Sequence, residues 1–185
     1  MSESSAALTG VRTDAQALVR DLAALLGFSA ALAVTAGLVR TPMQLPGHSA
    51  IFWLPVLVLA GAHRRPGMAI GTAVCGGAMA LSIRGTDVLG LAALLAAASA
   101  VEALGLGQTK RSRGLRMIAA GLLAHLGKLV VKLVSTTAMG VPLNEALLPV
   151  LPTAALYAAF GVAAALIAWG ALAGYERIRG VKGAA

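Results

Sequence analysis

The chain has 185 residues, 58% of them hydrophobic and only 12% charged, with a mean hydropathy of +0.84. Soluble domains carry roughly 25% charged residues, so this composition excludes an ordinary soluble fold. The net charge of +8 does not mark a nucleic-acid binder, because the basic residues are confined to short segments between apolar runs and aromatic residues, at 4%, are too few for a base-stacking surface.

A helix that crosses a bilayer needs ~20 predominantly apolar residues. Six stretches meet or approach that length, over 22–39, 50–63, 67–83, 88–107, 116–139 and 148–174. The expected fold is therefore an all-α integral membrane protein with six transmembrane helices. Residues 1–185 form one membrane domain, and the tails 1–13 and 180–185 are expected to be disordered.

The first stretch resembles a signal peptide at Val34-Thr35-Ala36. Its apolar run begins only after Leu22, behind Asp14 and Asp21, so it reads as an uncleaved span. It carries two stripes of small residues at four-residue spacing: Ala23, Gly27 and Ala31, and beside them Ser29, Ala33 and Gly37. Small side chains let helix backbones approach closely where lipid removes any hydrophobic force between helices. Such stripes serve packing within a bundle. Two on one helix exceed what one bundle can use well, so one of them is a candidate face for a separate membrane partner.

The link to the second stretch runs from Arg40 through Gln44 to Pro46, Gly47, His48 and Ser49. The Pro46-Gly47 pair suggests a loop dipping into the outer membrane face. Phe52 and Trp53 follow, and Trp53 suits an interfacial anchor as well as a binding-site wall. Pro55 predicts a kink, since proline removes a backbone hydrogen bond. The third stretch holds its own small stripe, Gly67, Gly71, Cys75 and Met79, with Gly76 and Gly77 adjoining. Arg84 and Asp87 follow it, close enough in sequence to pair with each other.

The fifth stretch holds the least expected chemistry. His125, Lys128, Lys132 and Ser135 fall on one face of a 3.6-residue period. Counting from Arg116 at 1.5 Å per residue, Lys128 is roughly 18 Å deep and Lys132 roughly 24 Å. A charge at that depth costs about 2.5–3.5 kcal/mol on insertion scales, so it normally faces a cavity, a counter-ion or a substrate. Glu102, roughly 9 Å from the end of the fourth stretch, is the expected partner of His125 or Lys128 in a buried polar group. Lys132 has no acidic residue at matching depth; it points to substrate contact, with snorkelling to the outer surface as the alternative. Asn144 and Glu145 lie in the last loop. Tyr157 is placed to face a central cavity or to bond a neighbouring helix.

Orientation follows from the basic residues. Arg12, Arg20, Arg64, Arg65, Lys110, Arg111, Arg113, Arg116, Arg177, Arg179 and Lys182 fall on one side, against Arg40 and Arg84 on the other. The positive-inside rule then places both termini in the cytoplasm of a multi-pass cell-membrane protein. Cys75 is the single cysteine, so no intrachain disulfide forms; three histidines make no metal cluster. There is no nucleophile–base pair, carboxylate pair or phosphate loop, so no enzyme activity and no cofactor is expected.

Six helices with both termini inside, a first helix with small-residue stripes, and the run Arg65-Pro66-Gly67-Met68-Ala69-Ile70-Gly71 with Gly76-Gly77 together resemble the substrate-binding S-components of energy-coupling factor (ECF) vitamin transporters. The resemblance implies a subunit that binds a small vitamin-like molecule near the outer face. It implies docking through Ala23, Gly27 and Ala31 onto a membrane scaffold subunit coupled to two cytoplasmic ATPases. The implied binding positions are Gln44, His48, Arg84, Lys132, Asn144 and Tyr157, and an apolar ligand body would rest on Phe52 and Trp53. A lysine there suits a carboxylate. The competing resemblance is to a six-helix, non-catalytic scaffold of cell-shape assembly, which would have no need of Lys132.

Overall fold

The computed structural model describes residues 3–39, 46–84, 88–106 and 112–182, with side chains described over 15–39, 46–83, 88–106 and 112–178. All secondary structure among them is helical: α1 Glu3–Gly37, α2 Ala50–Gly61, α3 Met68–Arg84, α4 Val88–Ala103, α5 Arg113–Ala138, α6 Leu143–Leu147 and α7 Val150–Lys182. Three segments, Ala15–Gly37, Arg113–Ala138 and Val150–Ile178, are long and apolar enough to cross a membrane. Ala50–Gly61, Met68–Ile83 and Val88–Ala103 are apolar but shorter.

The six expected stretches each hold one of the longer helices, and α6 is an additional short one. It follows Pro142, whose fixed φ suits a helix start. Residues 3–13 are helical, where a disordered tail was expected, and 180–182 complete α7. Extending an existing helix adds a hydrogen bond for each residue fixed, and no proline interrupts 3–21. Pro55 sits within a continuous α2, whereas Pro152 falls in the first turn of α7, where its missing N–H costs nothing.

α2 is the axis of the bundle. Its sequence, AIFWLPVLVLAG, carries no charge on any side, and a helix apolar all round is buried all round. It touches α1, α3, α4, α5 and α7, which neighbour one another in the order α1–α3–α4–α5–α7. No contact joins α1 to α7 among the described residues, so the ring is open there. Leu54, Leu57, Val58 and Ala60 of α2 are fully buried against Leu32, Ala97, Val101, Met117 and Ala124 of its neighbours.

Glycines set two of the closest approaches. A Cβ at Gly161 on α7 would lie 2.6 Å from the Gly121 carbonyl oxygen of α5, so the two backbones cross in direct contact. A Cβ at Gly76 on α3 would lie 2.7 Å from the Ser29 carbonyl oxygen of α1. The Ser29, Ala33 and Gly37 stripe is buried there, and Gly37 meets Ala80. That is the stripe the bundle uses. The other turns away: Ala23 and Gly27 are exposed, Gly27 faces open space, and Ala31 is half-buried.

One end of the bundle gathers the charged links. The Asp21 carboxylate pairs with Arg65 at 3.0 Å, with His63 3.8 Å away, and Arg113 pairs with Glu176 at 2.8 Å. At the same end Glu102 accepts a hydrogen bond from the Ala69 backbone N–H, 2.7 Å long. This corrects the expected grouping of Glu102 with His125 and Lys128. Ala69 opens α3, where backbone N–H groups have no intrahelical acceptor and the helix dipole favours an anion. Lys128 is fifteen residues along α5 from Arg113, roughly 22 Å away by helical rise, toward the opposite end.

Candidate functional site

The opposite end holds a cavity because the axis is shorter than the ring. At 1.5 Å per residue, the 12 residues of α2 cover roughly 18 Å and the 26 of α5 roughly 39 Å. The space beyond the start of α2 is partly filled by the turn Pro46–Ser49. Beside it remains a cavity of about 470 Å³ between α1, α3 and α4. Small-molecule sites run from about 300 to 1,000 Å³.

Most of its wall is apolar: Ala36 from α1 and Val39 just past its end, Gly77, Ala80 and Leu81 from α3, and Leu91, Ala93 and Leu94 from α4. The polar groups are Thr35, His48, Ser49 and Lys128, beside Trp53. The Lys128 ammonium nitrogen lies 5.4 Å from the Trp53 ring centroid, within the range of a cation–π contact. Trp53 is buried and Lys128 half-buried. A cation held against an aromatic face in an apolar chamber suits an anionic or strongly accepting group, since low dielectric strengthens the attraction.

Behind Trp53 sits His125, fully buried. Its Nε2 is 3.0 Å from the Gly47 carbonyl oxygen. A carbonyl only accepts, so Nε2 carries the proton and donates. The imidazole stacks on Tyr157, centroids 4.5 Å apart and planes at 19°, and meets Trp53 at 5.9 Å and 59°. Gly47 has a φ of +84°, the left-handed region open to glycine, and a Cβ there would lie 2.8 Å from His125 Nε2. Residues Pro46–Ser49 form a turn seated on the His125 ring.

Of the expected ligand contacts, the structure brings His48 and Trp53 to the cavity. Lys128, expected in a buried polar group, joins them. Lys132 does not: its side chain is exposed, and its carbonyl accepts hydrogen bonds from Ser135 at 2.8 Å and Thr136 at 2.9 Å. Phe52 is half-buried on α2 away from the cavity, Asn144 is exposed on α6, and Tyr157 backs His125. Gln44 lies outside the described residues, and of Arg84 only the backbone is described, as the last residue of α3. Thr35 and Ser49 are additions. Thr35 stands in the sequence only within a cleavage-like tripeptide, and Ser49 only as the last residue of the link to the second stretch.

Among the described residues no three His, Cys, Asp or Glu side chains are grouped to hold a metal ion. No protein family, curated protein or solved structure matches the chain.

Proposed function

We propose that this chain is a multi-pass cell-membrane protein whose six longer helices cross the bilayer with both termini in the cytoplasm, and that it captures a small, vitamin-like, carboxylate-bearing molecule from outside. In this reading it is the substrate-binding subunit of an ECF-type uptake system. The observation that carries it is the cavity of about 470 Å³ with Lys128 in its wall, at the end of the bundle opposite the paired Arg65 and Arg113. The positive-inside rule puts that end outside. The short helices α2, α3 and α4 reach the interfaces through their flanking turns, and the bilayer adapts to short spans at a modest cost.

The ligand's acceptor group meets Lys128, and its apolar body lies along the small residues of α3 and α4. Partner docking is assigned to the outward stripe Ala23, Gly27 and Ala31, since the sister stripe is occupied by α3. The chain holds no nucleotide-binding motif, so energy would come from ATPases bound through the scaffold subunit.

Native mass spectrometry of the detergent-purified protein tests the reading. An acidic small molecule that copurifies with the parent and is lost in Lys128→Ala supports it. A ligand-free parent that also fails to bind any organic acid from a metabolite extract favours the non-catalytic scaffold.

A further inference from the structure

The cavity's wall includes a segment that belongs to no helix. His48 and Ser49 line it, and the turn that carries them is seated through Gly47 on the buried ring of His125. His125 itself does not line the cavity. We infer that His125 is the positioning residue of this site: its Nε2–H holds the Pro46–Ser49 turn in as a wall, and its ring orients Trp53, on whose face Lys128 rests.

Three observations converge on this role. The hydrogen bond joins residues 78 positions apart, linking the turn to the middle of α5. The contact surface excludes a side chain on the turn, since a Cβ at Gly47 would lie 2.8 Å from His125 Nε2 and 3.1 Å from Tyr157 Cδ2. Finally, His125 and Lys128 are three residues apart on α5, so one helical turn carries both the anchor of the wall and the cation of the cavity. Tyr157 completes the seat by stacking on the imidazole. The functional importance of this arrangement rests on the cavity being a binding site. The arrangement itself is testable without any ligand, so the two ideas fail separately.

The experiment uses the full chain in lipid nanodiscs. Trp53 and Trp169 are the two tryptophans and Cys75 the single cysteine. Trp169→Phe therefore isolates Trp53 emission, and Ser49→Cys with Cys75→Ala provides one thiol on the turn. The labelling rate of that thiol by a charged maleimide reports how firmly the turn is seated. His125→Phe keeps a ring and removes the donor; it should raise the rate about tenfold, as loss of a hydrogen bond of about 1.4 kcal/mol requires, and shift Trp53 emission to longer wavelength. His125→Gln returns an N–H near the Nε2 position and should restore the rate to within about threefold of the parent. Gly47→Ala attacks the same contact from the turn and should mimic His125→Phe, which keeps the test decisive if the histidine variant fails to fold. Unchanged labelling and emission in His125→Phe or Gly47→Ala, or equal labelling of the Phe and Gln variants, overturns the assignment.

Discussion

Lys128 rests on the face of Trp53, 5.4 Å from the ring centroid, while Lys132, one helical turn further along α5, is exposed. The two ammonium groups thus divide in role. Lys128→Ala should weaken binding of the copurifying acid by about 2–5 kcal/mol, the range for truncating one member of a buried charge pair. Lys132→Ala should leave affinity within about 0.5 kcal/mol of the parent, as surface changes usually do. Calorimetric titration of both variants decides; equal losses would return Lys132 to the site.

The Gly121–Gly161 crossing leaves no room for a side chain. Gly121→Ala should destabilise the bundle by about 1–3 kcal/mol through overpacking against backbone. Gly27→Ala, facing open space, should be neutral or stabilising by up to about 1 kcal/mol, since alanine is the better helix former. Thermal melts in one detergent compare them.

Glu102 caps α3. Glu102→Ala removes a hydrogen bond from a charged acceptor to the Ala69 N–H, at a cost of about 1.5–3 kcal/mol. Because Lys128 is near the other end, ligand affinity should hold in the folded fraction. A matched loss of affinity and stability would instead mean that the two ends are coupled.

Two stripes on α1 make opposite predictions. Gly27→Leu should block copurification with a coupling module while the melt is unchanged, because the residue faces outward. Gly37→Leu should lower the melt, because Gly37 packs on Ala80 of α3. Normal copurification of Gly27→Leu would move the docking face elsewhere.

Reporter fusions after Lys110 and after Ala185 should both read cytoplasmic. A reading from the other side at both would turn the cavity to face the cytoplasm and remove it from uptake.

The helices were legible because each apolar stretch is bounded by glycine, proline or basic residues, and the length of a stretch is a robust signal. α6 was not, being shorter than two helical turns. The periodicity of His125, Lys128 and Lys132 put all three on one face, yet His125 is buried, Lys128 half-buried and Lys132 exposed. Which lysine met the cavity was not legible, because two residues four apart differ by only ~40° around a helix. What separates them is height, set by where α2 begins and where Trp53 points. The partner of Glu102 does not show in the pattern of charges, because the N–H groups that open a helix are uncharged. The bond from His125 to Gly47 left no trace in either segment alone.

The open seam between α1 and α7 has a mechanical consequence. In a closed ring, widening the interior disturbs every interface at once. Here α1 is an end member, gripped on one flank by α3 and braced from within by α2. Among the described residues its interfaces are with α3 and α2 alone, so displacing it would leave the α3–α4, α4–α5 and α5–α7 contacts as they are. Thr35 and Ala36 lie on it as part of the cavity wall, and Ala23 and Gly27 lie on it as the outward stripe. Any displacement of α1 would therefore move the cavity wall and that stripe together.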